Sequence, residues 1–495
     1  MKSLVQLDIN SVDEVIKPAK LRSEYQPNTR PKVMASCYIA NMPNELLLEV
    51  FSYLPPTQSH EEKRPYDPSP LLFVCQRWRS TYEPVLFQNI HISSEGWRNV
   101  FEQAGEVAEA IEALPHLRNY PRTFHLTSLR PFGTVCHHAA EILEFCKGIQ
   151  KVYLEVDLVV ENWSLINAIK NLPQLQELQI TGPSIHPLLQ QFEFPTLKKL
   201  KISRYGSGKE SQEHLPPWKR NLLTRDFAHE DTTQTPLFPN RNQLKNLKSL
   251  ELSDPDASVQ VSAEILKLPR HLESLAITWV SHSVAWEDHT LSSIQSLIDI
   301  HSSSLKHLHL GMIPGGSISP IMLNFSHFPL LQTLHMSAKN IFTSSPIHAL
   351  ESLSCPSLKS LTIDFYPEDA SREFGFDFNV EKKEWMVEFV KMRKEVCKGS
   401  KLERIYVIFR PEDDPRDAVR FAGEEDVDGW RKWPWEDIEG ARRDVEALGL
   451  GVEVEYSEVG WTREGWLRAM EEYEKLGFGE NRYGDAEVEE LEDLE

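Results

Sequence analysis

The sequence predicts an α/β chain: a small helical module, then strand–helix repeats stacked into a βα solenoid with a parallel sheet, closed by a helical C-terminal cap. Three observations predict it. An apolar pattern, LxxLxL, recurs through the middle of the chain. Helical stretches fall between its copies at a near-constant period, the signature of a repeat array. Before the first copy stands one amphipathic helical stripe.

The 495 residues and 40% hydrophobic content suffice for a sizeable core, which excludes a wholly disordered chain. The net charge of −21 is concentrated: residues 411–495 hold 28 acidic and 10 basic side chains, whereas the remainder is close to neutral. No basic face is left for a nucleic-acid backbone. Nor does any run of about 18 apolar residues occur that could span a membrane. Six scattered cysteines (Cys37, Cys75, Cys136, Cys146, Cys355, Cys397) form no CxxC pair and no dense disulfide framework. The first residues, MKSLVQLDINSVDEV, lack the apolar stretch of a secretory signal. A reducing compartment, cytoplasm and/or nucleus, is expected.

Taken in order, residues 1–38 mix charge, Pro and Ser without period and read as a disordered leader. In the next stretch Pro43 suits a first helical turn, and Glu45 complements the positive helix end. Leu46, Leu47, Val50, Phe51 and Leu54 then form an apolar stripe that Pro55-Pro56 ends. After a proline-rich loop over 55–70 come Leu71–Cys75 with Gln76-Arg-Trp-Arg79, and then Pro84-Val-Leu-Phe87, closing at Ile90 and Ile92.

Met42-Pro43-x-Glu45-Leu46-Leu47, Phe51-x-x-Leu54, Val74-Cys75-x-x-Trp78-Arg79 and Pro84-x-Leu86-Phe87-x-x-Ile90 together resemble an F-box. That family is a three-helix module that docks onto a Skp-type adaptor of cullin-based ubiquitin ligases. Met42 replaces the family's usual Leu, and the 55–70 loop is longer than the family's usual step. The resemblance implies an F-box over 39–92, with Pro43, Leu46, Leu47, Val50, Phe51, Leu54 and Trp78 either contacting the adaptor or holding the helices together. A helical linker is expected over 93–120.

The repeats follow. With the second apolar position as anchor, copies fall at 124, 152, 178, 200, 250, 275, 308, 334, 361 and 405, and most steps lie between 22 and 33 residues. Pro173, Pro195, Pro329 and Pro356 stand two residues ahead of four copies, where proline stops the preceding segment. Val135–Lys147, Trp163–Asn171, Leu291–Ile300 and Trp385–Lys398 read as intervening helices. This array, 121–410, is similar to the leucine-rich repeats that follow an F-box in many substrate receptors, although the Asn or Cys that usually follows LxxLxL is absent. Residues 204–240 read as a loop insertion or a degenerate repeat. Over 411–478 the sequence predicts an acidic linker, a helix about 436–448, a last strand at Val452–Tyr456 and a capping helix, Trp461–Leu476, with Trp466, Leu467, Met470 and Tyr473 on one side. An acidic tail, 479–495, completes the chain.

The sequence holds no complete catalytic or metal-binding motif. Gly206-Ser-Gly-Lys-Glu210 lacks both the first glycine and the Ser/Thr of a phosphate loop. Cys136-His137-His138 with Cys146 misses metal-ligand spacing, its two histidines pointing to different sides of a helix. Neither an enzyme nor a cofactor is expected. In each repeat strand, the residue after the anchor faces away from the core, on the concave sheet. Tyr153, Lys201, Glu251, His309, His335 and Tyr406, with His307 beside them, form the expected ribbon for a protein substrate. The resemblance thus implies a non-catalytic substrate receptor of an SCF-type ubiquitin ligase. The alternative is a leucine-rich-repeat scaffold, free or adaptor-bound, without ubiquitin transfer.

Overall fold

The computed structural model describes residues 43–44, 46–47, 76–93, 99–128, 133–156, 163–181, 193–203, 244–253, 259–279, 290–311, 313, 323–365, 378–397, 399–409, 435–449, 453–458 and 462–475. The chain is α/β, with two compact units, Met1–Leu247 with Leu268–Arg270 and Lys248–Lys267 with His271–Glu495.

In the first unit, Leu47 N donates to Pro43 O at 3.1 Å, closing one helical turn. Helix α1 (Gln76–Leu86) leads into β1 (Asn89–Ser93), α2 (Asn99–Ala113), a 3-10 turn (Pro115–Asn119), β2 (Thr123–Ser128) and α3 (Gly133–Phe145). Strand β3 (Lys151–Val156), α4 (Trp163–Lys170), β4 (Glu177–Thr181) and β5 (Lys199–Ser203) complete it. Each strand pairs in parallel with its neighbour in sequence, and the anchors stand opposite one another, Phe124 by Val152, Val152 by Leu178, Leu178 by Leu200. Helix α2 packs on α3, and α3 on α4.

The second unit repeats the plan. It runs β6 (Ser249–Ser253), α5 (Val259–Leu266), β7 (Ser274–Thr278), α6 (Leu291–Asp299), β8 (His307–Leu310) and β9 (Thr333–Ser337). Two short helices, α7 (Ala338–Phe342) and α8 (Pro346–Ser352), precede β10 (Ser360–Phe365). Helix α9 (Val380–Val396), β11 (Arg404–Phe409), α10 (Trp435–Ala447), β12 (Glu453–Glu458) and α11 (Arg463–Lys475) follow. Its seven strands are again parallel and in register from Leu250 through Leu275, Leu308, Leu334, Leu361 and Ile405 to Val454.

Alternation explains the strands. Leu178 and Ile180, Leu275 and Ile277, or Leu361 and Ile363 are at most 2% exposed, while the residues between them are half-buried. Strands β2–β5 and β7–β11 begin alike, with two consecutive amides donating to one carbonyl: Gln176 and Glu177 to Gln150 O, Lys306 and His307 to Glu273 O, Lys359 and Ser360 to Gln332 O, all at 2.8–3.1 Å. That shared acceptor satisfies the backbone where the chain turns into the sheet. Beneath β10, Phe365 meets Phe342, Phe378 and Phe409 with centroids 5.7–5.9 Å apart. Asn379 caps α9 by accepting from Lys382 N at 3.2 Å, and Gly399 (φ 91°) follows the helix in the left-handed conformation that glycine adopts without strain.

Two readings need correction. The segment read as a helical module up to residue 92 ends instead in β1: Ile90 and Ile92, at 2% and 0% exposure, are core residues paired with β2. Pro84 lies inside α1, which stops two residues later. Helices α5, α7 and α8, of eight, five and seven residues, are further elements that the sequence pattern does not mark. Val50, Phe51 and Leu54, the leader, the 204–240 segment, the acidic linker and the acidic tail lie outside the described residues. Among the described residues no helix is long and apolar enough to cross a membrane.

Candidate functional site

The residues expected to make contacts fall at two places. At the first, Arg77 donates through Nε and Nη2 to Asn44 Oδ1 at 3.0 and 2.9 Å, tying the first helical turn to α1. Leu46 and Leu47, adjacent in sequence, take opposite roles. Leu47 is 1% exposed and belongs to the core, whereas Leu46 is 47% exposed and available to a partner. Pro43 is exposed, and Trp78 lies in α1 with its side chain outside the described residues.

The second place is the polar face of the strands. In the first unit, His91 and His125 stand in register and stack with centroids 4.5 Å apart, and Tyr153 meets His125 edge-on at 5.9 Å. His125 Nε2 lies 3.6 Å from Glu155 and 3.2 Å from Thr127 Oγ1. Burial lowers the His125 pKa against the opposing pull of Glu155. Burial, and then Glu177, raise that of Tyr153. Lys151 pairs with Glu177 at 2.8 Å, and Lys201 lies half-buried on β5, in register with Gln179.

In the second unit the same face holds Glu251, Ala276, His309, His335, Thr362 and Tyr406 in adjacent registers. Ser253 Oγ donates to Glu251 at 3.4 Å. The His307 ring nitrogen Nδ1 lies 2.9 Å from Thr333 Oγ1. The His309 and His335 rings stack at 3.8 Å with planes 13° apart, and His335 Nε2 is 2.9 Å from Asp364 Oδ2. Tyr406 is half-buried between Thr362 and Glu455, and Arg404 beside it pairs with Glu455 at 3.1 Å. The strands therefore bring His307, His309, His335 and Tyr406 to one face of one unit, with Tyr153 and Lys201 on the corresponding face of the other. Asp364 was missed by sequence reasoning. The signal was its position, three residues beyond an anchor and hence on the polar side of β10.

At the strand starts, Lys248 and Lys306 flank Glu273 at 2.9 and 3.0 Å, and their hydrogen bonds hold its carboxyl down to about 2. The buried thiols of Cys136, Cys146 and Cys355 are pushed up to about 11, 12 and 12 by desolvation, so they are protonated and poor nucleophiles at neutral pH. His137 and His138, expected on different sides of α3, both reach Glu141, at 3.5 and 2.9 Å. One turn of helix separates Glu141 from His137, which makes the shared contact possible. Compared with protein-family models and with curated proteins, the sequence gave no match.

Proposed function

We propose that this chain is a non-catalytic substrate-recognition subunit of an SCF-type ubiquitin ligase. Its N-terminal helices would dock a Skp-type adaptor as an F-box, and its strands, read as irregular leucine-rich repeats in a βα solenoid, would present the protein to be ubiquitylated. The observation that carries the reading is the split between Leu46 and Leu47. Of two adjacent leucines that the F-box pattern assigns to adaptor contact or to holding the helices together, one lies in the core and its neighbour is 47% exposed, on a turn tied down by Arg77, so Leu46 is the one open to a partner. The repeats supply the second half: each LxxLxL forms a parallel strand beside the preceding one within its unit and leaves a continuous polar face, the surface that repeat proteins use for binding.

The test is Leu46→Ala. Adaptor co-precipitation should fall by about tenfold or more, as for a central interface side chain, while the thermal midpoint stays at the wild-type value. Undiminished capture by the folded variant would refute adaptor docking through this turn. Recovery of the adaptor without a cullin would point instead to a scaffold that transfers no ubiquitin.

A further inference from the structure

We propose that His309, His335 and Asp364 form a binding site for one divalent transition-metal ion of the zinc class. The inference does not depend on the ligase reading. The three residues come from three successive strands of one unit and point to one face. His309 on β8 is in register with His335 on β9. Thr362 is the register partner of His335 on β10, and Asp364 stands two residues further along the same side. Their donor atoms all lie within 4.8 Å of one another, and among the described residues no other group of three His, Cys, Asp or Glu side chains converges in this way.

Three features favour an ion over a plain hydrogen-bonded cluster. First, Asp364 is 0% exposed, and a carboxylate withdrawn from water is stabilised by positive charge close by; a dication on the cluster would add to the contact that His335 already makes at 2.9 Å. Second, the donor spacing suits chelation. Zinc–nitrogen bonds of about 2.0–2.1 Å in a tetrahedral arrangement put two imidazole nitrogens about 3.4 Å apart, and one donor atom from each of the three side chains already lies within 4.8 Å of the other two. Chelation requires the two rings to turn out of their stack, 13° from parallel, so that both in-plane lone pairs meet at one point. Third, the frame is rigid. Leu308, Leu334, Met336 and Ile363, which flank the ligands in sequence, are 0–2% exposed, so the strands cannot drift apart.

The donor set decides the kind of ion. Two imidazoles and one carboxylate suit zinc, cobalt, nickel or iron(II), whereas calcium and magnesium call for all-oxygen cages. Three protein ligands leave a fourth position open. His335, 22% exposed, is the ligand through which solvent reaches the cluster, Asp364 being fully covered. The first unit offers an internal comparison. His91, His125 and Glu155 repeat the layout, with Glu155 two residues beyond the register partner of His125. There, however, the rings stand 4.5 Å apart, Thr127 Oγ1 contacts both His125 and Glu155, and the carboxylate is 44% exposed. The alignment of residues is shared; the convergence and burial belong to the second unit.

The test uses the full chain, free of any tag and stripped with chelator. Zn²⁺ is titrated by calorimetry and Co²⁺ by visible absorption, with His309→Gln and His335→Gln as ligand variants and His307→Gln as a control on the same face. The wild type and the control should each bind one tight equivalent. Both ligand variants should bind it at least about 100-fold more weakly, the scale seen when even outer-sphere partners of a metal are lost. Zn²⁺ should raise the thermal midpoint of the wild type and not of the variants, by mass action on the folded state. Equal tight binding by wild type and His309→Gln would overturn the site. So would a wild type that takes up no tight equivalent, or whose Co²⁺ form lacks tetrahedral absorption bands, and these two results need no variant to fold.

Discussion

Arg393 offers a sharp test of how α9 is held. Its side chain is 2% exposed and donates three hydrogen bonds: Nη1 to Leu353 O at 2.7 Å, Nη2 to Cys355 O at 3.2 Å and Nε to Ser400 Oγ at 2.9 Å. Both carbonyls have a second donor, Cys355 N at 2.8 Å and Leu358 N at 3.3 Å. Arg393→Met keeps most of the bulk and removes the bonds without orphaning either carbonyl. Three charge-assisted bonds at about 1.5 kcal/mol each give a gross loss of about 4–5 kcal/mol. Against this, the guanidinium no longer has to be desolvated, a cost large enough to lower its pKa, and that returns about 2 kcal/mol. The net expectation is a loss of about 2–3 kcal/mol. Because repeat elements open separately, amide exchange of residues 380–396 is a better assay than global unfolding. Protection there should fall about 30- to 150-fold at 1.4 kcal/mol per decade, with β2–β4 unchanged. Arg393→Lys should do no better than Met, since an ammonium is still buried there but lacks the planar fork that reaches two carbonyls at once. Exchange of α9 in Arg393→Met within about threefold of wild type would mean a net effect under about 1 kcal/mol and would refute this accounting.

Further expectations follow from single sites. Gly311 N donates to Ile277 O at 2.8 Å, and a Cβ there would meet Thr278 Cα at 3.0 Å. Gly311→Ala should therefore lower stability by about 1–2 kcal/mol in urea titration; an unchanged midpoint would show that β7 and β8 part freely. His301 is 4% exposed, its Nε2–H donates to Leu266 O at 2.6 Å, and desolvation lowers its pKa despite that bond. A histidine whose folded pKa is depressed binds fewer protons in the folded state than in the unfolded one. Its destabilising effect is absent well above about pH 6.5 and grows as pH falls through that value. Urea midpoints measured from about pH 8 down to about pH 5 should decline on the acid side and decline less in His301→Gln. Equal slopes for the two proteins would remove His301 as the cause.

The strand positions were legible in the sequence. Every LxxLxL anchor from 124 to 405 is the second residue of its strand, and the repeated apolar pair also set the registers, because a slip by one residue would turn Leu178 or Leu361 out to water. The same alternation placed His307, His309 and His335 on one face. It failed at Asn89-Ile-His-Ile-Ser93, whose alternating pattern was absorbed into the helical segment before it; only pairing with β2 made it a strand. It failed too at α7 and α8, which span fewer than two turns and so repeat no apolar stripe.

What tertiary structure alone decided is where long-range contacts meet. Leu46 and Leu47 are equivalent in the sequence pattern, and packing put one in the core and left the other in water. Arg393 reads as an ordinary helix-surface cation until the turn after α8 brings two carbonyls to it. His309, His335 and Asp364 lie 26 and 29 residues apart, separated by loops and helices of unequal length. Sequence fixes on which side of its own strand each one stands, because side chains alternate. Their convergence depends on the lateral pairing of three strands and on the burial of Asp364, and both are properties of the packed unit rather than of any local segment.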